Sequence, residues 1–313
     1  MDKGLPSDGG SAPNTPQSSS QPQGEREGRG LLLVGHGTRD EQGLAEFQTV
    51  ARQVAELATE FCVEACFLEL AEPDIATGVQ RLLERKVRRL TVAPLLLFSA
   101  GHAKRDIPAA VAEGVVGRRK VAGEEQQTAG GGKAIRNLGR DCGPRRSECG
   151  GRQPGELVID QLPALECQER IVELSAQRYA EALAGLPPVD SAATLLILVG
   201  RGSSDDAAIS AVRRFAALRA ERTAVGRVDV GFVAVAKPTL EEALDVAARS
   251  EFRQIVVQPH LLFVGEVLEQ IEKAVKAQRE ASSGKEWILT RHLGPSPLVA
   301  QAVVEMAREA AKG

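Results

Sequence analysis

Two stretches of the chain share one pattern of apolar and polar positions. Residues 31–42 are LLLVGHGTRDEQ and residues 195–207 are LLILVGRGSSDDA, so each apolar run ends in Gly-X-Gly and then becomes charged. The apolar runs do not alternate with polar residues, which is typical of strands buried on both faces of a sheet. The pattern therefore predicts a buried strand followed by a tight turn and a surface helix, and it predicts this unit twice.

The two turns belong to a longer internal repeat. A constant offset of 165 residues relates His36 to Arg201, and the same offset aligns FLELAEPDI with FVAVAKPTL and LTVAPLLLF with IVVQPHLLF. Pro73 falls on Pro238 in this alignment, and Phe98 falls on Phe263. Three separate segments in one register indicate that the chain contains two copies of one domain.

Each copy alternates apolar strands with amphipathic helices, which predicts an α/β fold. We expect two tandem flavodoxin-like domains, each a small parallel sheet with helices on both faces, joined near residues 185–190. Each copy ends in a closing helix. The predicted helices cover residues 44–60, 75–85, 171–183, 207–221, 240–249 and 298–311.

Composition sets the limits of these domains. Residues 1–29 are rich in Ser, Gly, Pro and Gln, which predicts a disordered tail. The first half then covers residues 30–186 and the second half residues 190–313. Only the first half contains the Gly- and Arg-rich segment 114–156, for which we predict a flexible insertion. Cys142 and Cys149 lie within it, and without further ligands nearby they do not predict a metal site.

The overall composition excludes several classes of partner. The net charge is -3 and aromatic residues make up 3% of the 313 residues, so neither a basic surface nor a stacking platform for nucleic acid is expected. No apolar run is long enough to span a membrane. The absence of a signal-peptide pattern and the five cysteines predict a cytoplasmic chain with free thiols.

Three polar residues of the first half lie at or beside the predicted carboxyl ends of strands. His36 ends the first strand, Glu69 lies on the second, and His102 follows the third. Ligands bind at this edge of open parallel sheets. Two imidazoles and a carboxylate suit a borderline divalent ion such as Co²⁺, Ni²⁺ or Fe²⁺, and the same groups can accept protons.

The second copy has lost all three of these residues. It carries Arg201, Ala234 and Glu266 at the matching positions, although it retains the prolines, glycines and phenylalanines of the repeat. Residues that only support the fold would have been retained with the rest of the frame. The comparison therefore favours a functional site in the first half and a degenerate second half.

Three segments of the first half resemble a known family. LLLVGHGTRDEQGLAEF, CFLELAEPDIATGVQRLL and VRRLTVAPLLLFSAGHAKRDIPAAV are similar to the CbiX/SirB sirohydrochlorin chelatases in their long two-domain form. The resemblance implies a chelatase-like fold and the insertion of a divalent metal into sirohydrochlorin, in cobalamin or sirohaem biosynthesis. Co²⁺ is favoured because the long form resembles cobaltochelatases, and no organic cofactor is implied.

The resemblance also implies roles for individual residues. His36 and His102 match the histidines that bind the metal and help to deprotonate the macrocycle, and Glu69 matches an acidic position. We expect His102 to present the metal and His36 to act as ligand or base, while Glu69 has an orienting role or accepts a proton.

Cationic residues follow the candidate site and suit a substrate that carries many carboxylates. Arg39, Lys104, Arg105 and Arg201 are therefore predicted to bind substrate, with solvated loop charge as the alternative. The second half is expected to form the opposite wall of a cleft. We accordingly predict a monomer with pseudo-twofold symmetry.

The other candidate residues give weaker signals. His260 is predicted to be a buried, hydrogen-bonded residue within a strand, and His292 has no evident partner. Cys62 and Cys66 are interpreted as small apolar residues, and GRGSSDD is not expected to bind phosphate. Two rival functions stay open: a carrier that binds metal or tetrapyrrole without catalysis, and an unrelated α/β enzyme whose Gly-His-Gly turn binds an anion.

Overall fold

The computed structural model describes residues 28–99, 101–121, 136–137, 157–282 and 284–312. The predicted tail up to residue 27, and Cys142 and Cys149, lie outside these ranges. The elements of the first half are β1 (Arg29–Gly35), α1 (Glu41–Leu57), β2 (Cys62–Phe67), α2 (Ile75–Glu84), β3 (Arg89–Pro94), a π-helical turn (His102–Asp106), α3 (Ile107–Val121), β4 (Arg136–Asn137), β5 (Val158–Gln161) and α4 (Glu169–Leu183). Those of the second half are a 3₁₀ turn (Ser191–Ala193), β6 (Thr194–Gly200), α5 (Asp206–Arg222), β7 (Arg227–Phe232), α6 (Leu240–Arg249), β8 (Gln254–Pro259), α7 (Glu266–Ala281), β9 (Glu286–Leu289) and α8 (Pro297–Lys312).

The strands form two parallel sheets with the same topology. The order is β2-β1-β3-β5-β4 in the first sheet and β7-β6-β8-β9 in the second. The register is also repeated, because Leu31 pairs with Val63 on β2 and its counterpart Leu196 pairs with Val228 on β7. The predicted α/β fold of two tandem domains is confirmed.

Strands β1 and β6 are buried on both faces, as their unbroken apolar runs predict. On β1, Leu32 and Val34 pack against α2 and α3, whereas Leu31 and Leu33 point to the opposite face. On β6, Leu195 faces α6 and α7 in the same way. The faces opposite to these outer helices meet in one apolar core, which we call the shared core because both halves contribute to it.

Helices α1, α4, α5 and α8 begin one to three residues earlier than the apolar periodicity predicts, and an Asp cap accounts for two of these starts. Helix α1 begins at Glu41 because the Asp40 carboxylate accepts a hydrogen bond from the Gly43 N–H at 2.7 Å. Asp205 caps α5 in the same manner through the Ala207 N–H. Apolar periodicity does not detect the polar residues of the first turn, so it places the start too late. The Asp cap marks where the helix begins.

The closing helices are exchanged between the halves, which the sequence pattern does not predict. Helix α8 of the second half packs on α1 and β3, and helix α4 of the first half packs on α5 and β8. Arg89, the first residue of β3, donates hydrogen bonds to the carbonyl oxygens of Ala310 and Ala311 at the end of α8. Each half therefore completes the apolar face of the other.

Helix α3 enters the segment for which the sequence predicts a flexible insertion. The helix continues to Val121, and Gly114 is buried where a Cβ would lie 3.0 Å from the Ala76 Cα and the Val79 Cβ. Strand β4 then pairs with β5 at the edge of the sheet. The first part of the predicted insertion is thus regular, packed structure.

The exchange of helices gives a prediction for the first half in isolation. A chain of residues 30–186 lacks α8, so the apolar surface of α1 and β3 that α8 covers would be exposed. We expect this fragment to dimerise in solution, because α4 of each copy can then pack on its partner. Size-exclusion chromatography with light scattering measures this directly. A stable, monodisperse monomer would show that the halves are independent.

Candidate functional site

A cavity of about 1160 Å³ lies where the carboxyl ends of the two sheets meet. Its walls come from the loops after β1 and β3 in the first half and after β6 and β8 in the second half. These loops supply residues 35–40, 95–98, 200–204 and 260–269. The cavity thus forms at the sheet edge where parallel α/β folds bind ligands.

His36 and Glu69 form a pair beside this cavity. The Nε2 atom of His36 lies 3.3 Å from Oε1 of Glu69, and Nδ1 lies 3.3 Å from the Gly37 carbonyl oxygen. The His36 side chain is 25% exposed and that of Glu69 is 49% exposed, although the Nε2 atom of His36 that faces Glu69 is itself buried. An imidazole in contact with a carboxylate can take up a proton, because the carboxylate stabilises the imidazolium that forms.

A tight turn brings His36 and Glu69 together. The Glu69 N–H donates to the His36 carbonyl at 3.1 Å, and Gly37 has a φ of 93°. A Cβ on Gly37 would lie 1.7 Å from the Glu69 carbonyl oxygen, so only glycine fits. The sequence predicts this turn, and the close approach of the Glu69 backbone explains why its second glycine, Gly37, is needed.

The second half has the same turn but lacks the histidine and the glutamate. The Ala234 N–H donates to the Arg201 carbonyl at 2.9 Å, and a Cβ on Gly202 would lie 1.8 Å from the Ala234 carbonyl oxygen. The backbone frame is therefore duplicated, whereas Arg201 and Ala234 replace His36 and Glu69 in this turn of the second half. The predicted equivalence of His36 with Arg201 and of Glu69 with Ala234 is confirmed.

Two exposed apolar residues stand at equivalent places on the cavity wall. Leu70 and Val235 both have a φ of 64°, and their side chains are 50% and 78% exposed. A β-branched residue in this conformation is a strained outlier, and such strain is found at ligand sites. Both halves thus present an apolar side chain towards the cavity.

His102 begins the π-helical turn between β3 and α3, at the carboxyl edge of the first sheet. Its side chain is not among the described ones. Single π-helical turns often occur at functional sites. Among the described side chains, no three His, Cys, Asp or Glu residues form a metal-binding group.

Three of the four predicted substrate-binding cations line the cavity. Arg39, Arg105 and Arg201 are exposed along its wall. The Lys104 ammonium does not join them, because it lies 2.6 Å from Oδ2 of Asp205, and this ion pair crosses between the halves. The hydrogen bond from Lys104 lowers the pKa of Asp205.

The Asp205 carboxylate is also part of the GRGSSDD turn. Asp205 caps the first turn of α5 through the Ala207 N–H. An anionic cap thus occupies the helix N-terminus, which is where a phosphate would bind. The absence of phosphate binding stays a prediction.

Two histidines differ from their predictions. His260 lies directly after β8 rather than within it, and although it is buried, neither ring nitrogen has a hydrogen-bond partner among the described residues. His292 has a partner after all, because its Nε2 lies 3.0 Å from Oε2 of Glu46 on α1. That pair joins positions far apart in the sequence, so no local pattern could indicate it.

The remaining candidates agree with their interpretation. Cys66 is buried in the outer core of the first half beside α2, and burial raises the pKa of its thiol. Cys62 packs at the edge of the same core. Within the described ranges, no helix has the length and apolar character needed to cross a membrane.

Comparisons with known proteins agree over both halves. A model of the CbiX family matches residues 30–182 and 195–310. A sirohydrochlorin ferrochelatase of Priestia megaterium is 29% identical over 84% of this chain and 84% of its own length. A sirohydrochlorin cobaltochelatase of the same organism is 25% identical over 91% of this chain and 81% of its own. The structure of SirB from Bacillus subtilis with Fe³⁺ has the same fold, with a TM-score of 0.71, 24% identity, and coverage of 91% of this chain and 96% of that one.

The Gly37 turn gives a prediction about stability. We expect Gly37→Ala and Gly202→Ala each to lower the free energy of unfolding by roughly 3 kcal/mol or more, because both a left-handed φ and a backbone clash oppose the new Cβ. Gly185→Ala is the control, since its φ is 83° but nothing lies within 4 Å of the added carbon. It should cost only about 1 kcal/mol. Urea unfolding measures all three, and equal costs would refute the clash.

Proposed function

The chain belongs to the CbiX family, and we propose that it is a sirohydrochlorin chelatase, a lyase that inserts a divalent metal ion into sirohydrochlorin. The His36–Glu69 pair beside a cavity between the two sheets carries this proposal. The names of the two Priestia megaterium relatives, which match along most of the chain, support the substrate.

The cavity suits a flat, acidic macrocycle. Its volume of about 1160 Å³ slightly exceeds the upper end of the usual range for small-molecule sites, about 1,000 Å³. Phe47, Leu70 and Val235 offer apolar contacts to the faces of a ring system. The exposed guanidinium groups of Arg39, Arg105 and Arg201 can bind carboxylates at its edge.

Metal insertion requires two pyrrole N–H protons to leave as the ion enters. In our proposal the His36 imidazole accepts a proton from the macrocycle, and Glu69 stabilises the resulting imidazolium. The half-exposed carboxylate can then pass the proton to solvent, which resets the pair. We assign the presentation of the metal to His102, with His36 as second ligand, because both lie at one sheet edge.

Co²⁺ and Fe²⁺ are both expected substrates. Chain length does not decide between them, since relatives named for iron and for cobalt both match along most of the chain. Imidazole ligands accept either ion, and cells select between such ions by supply. The pathway, cobalamin or sirohaem, follows from that supply. We further propose that one chain suffices, because both walls of the cavity come from one chain.

One anaerobic assay tests this function. Purified protein, sirohydrochlorin and Co²⁺ or Fe²⁺ are mixed, and the change in absorption is compared with a protein-free control. We expect metal insertion to be faster than in the control, with many turnovers per chain. Stoichiometric binding without faster insertion would favour the carrier, and no spectral response would favour the unrelated enzyme.

The duplicated frame supplies a matched control for the site residues. His36→Ala and His102→Ala should each lower kcat/KM for insertion by about 100-fold or more, since each removes a proton acceptor or metal ligand. Arg201→Ala changes the equivalent position of the second half and should lower kcat/KM by less than about tenfold. Circular dichroism confirms that the variants are folded. If Arg201→Ala proved the most damaging, the chemistry would belong to the second half.

A further inference from the structure

His260 is the first residue after β8 and lies at the wall of the cavity. Its side chain is 3% exposed, and its ring lies between Phe98 of the first half and Phe215 of α5, with centroid distances of 5.3 and 4.2 Å. The equivalent residue of the first half is Leu95, which is 2% exposed. The His260 N–H donates to the Val199 carbonyl oxygen, and the Leu95 N–H donates to the Val34 carbonyl oxygen, both at 2.8 Å. One frame thus accepts either an apolar residue or a histidine.

A histidine at position 260 stabilises the fold less than a leucine would when no ligand is bound. Neither ring nitrogen hydrogen-bonds to any residue that the structure describes. A buried donor and acceptor without partners lower the free energy of unfolding, whereas leucine would not. A buried polar group without a protein partner calls for an ion, a water or a functional role, and the position of His260 on the cavity wall favours a bound ligand.

A buried positive charge lies behind His260. The Arg219 side chain is fully buried and donates to Ser175 and Thr223, and no carboxylate pairs with it in the described part of the chain. Burial, together with the charge of Arg219, lowers the pKa of His260 to about 3. The imidazole is therefore neutral at physiological pH and offers one N–H donor. Arg219 does not line the cavity, but its charge acts on His260, so an anion is favoured beside this histidine.

Resting on the proposed function, we propose that His260 binds substrate by donating a hydrogen bond to a carboxylate side arm of the tetrapyrrole. A metal ion is a weaker candidate, because no other His, Cys, Asp or Glu forms a metal-binding group with His260 in the described regions. The interaction orients the macrocycle relative to His36 on the other wall. It also discriminates against tetrapyrroles that lack the acidic arm, because these leave the imidazole unpaired.

The test compares His260→Leu, which installs the residue of the first half, with His260→Gln, which retains an N–H donor. Phe215→Leu is the packing control, since it alters the surroundings of the ring without removing a polar group. Fluorescence titration without metal measures Kd for sirohydrochlorin and for its fully methyl-esterified form. Thermal unfolding and metal-insertion rates are measured on the same samples.

We expect His260→Leu to raise Tm by about 3 °C and to weaken sirohydrochlorin binding by about 10- to 100-fold. The preference for the acid over the ester should fall by a similar factor, because the variant no longer recognises the carboxylate. His260→Gln should recover part of the affinity, and Phe215→Leu should lower Tm without changing the acid-to-ester preference.

The outcomes separate this inference from the proposed function. If His260→Leu binds sirohydrochlorin within twofold of the wild type, His260 is a structural residue, whatever the insertion rate. A wild-type protein that binds sirohydrochlorin without accelerating insertion, while His260→Leu binds it poorly, overturns the proposed function and supports the role of His260. A wild-type protein that does not bind the tetrapyrrole overturns both.

Discussion

Reciprocal packing of the exchanged helices α4 and α8 joins the two sheets through the shared core. Arg178 on α4 is 4% exposed and donates two hydrogen bonds to the Leu293 carbonyl oxygen in the second half. Gln258 on β8 donates in turn to the Ser175 carbonyl oxygen on α4 at 2.8 Å. Because each helix covers the apolar face of the opposite half, the carboxyl ends of both sheets are fixed around one cavity.

Features that suit ligand binding occur in both halves, whereas the residues proposed for proton transfer occur in the first half. Both halves retain the Gly-X-Gly turn and an exposed apolar residue, Leu70 or Val235, towards the cavity. The proposed proton acceptor, His36 with Glu69, belongs to the first half. Duplication of a frame gives a ligand two similar walls, and only one wall has to carry reactive groups. The second half is thereby free to specialise in binding.

Local signals and the repeat predicted the sheets, the turns and the placement of His36 and Glu69 at one sheet edge, because each depends on residues close together in the sequence or related by the constant offset. The direct contact between His36 and Glu69 was not predicted and required the fold. The exchanged helices could not be predicted, since amphipathic periodicity shows that a face is buried but not which half covers it. The Lys104–Asp205 and His292–Glu46 pairs join distant positions, and local pattern carries no information about them. The sequence did show that His260 is a polar residue where the other copy of the repeat has leucine. That its ring nitrogens lack hydrogen-bond partners among the described residues could be seen only in the structure.

In the proposed function, metal insertion depends on the first half, while the cavity as a whole binds the tetrapyrrole. The most direct test gives the first half the residues of the second, His36→Arg together with Glu69→Ala, and measures sirohydrochlorin binding and metal insertion on the same protein. The account predicts cooperative unfolding and a Kd for sirohydrochlorin within about tenfold of the wild type, because cavity and rim remain. Insertion should fall to the protein-free rate. Insertion near the wild-type rate would contradict the account.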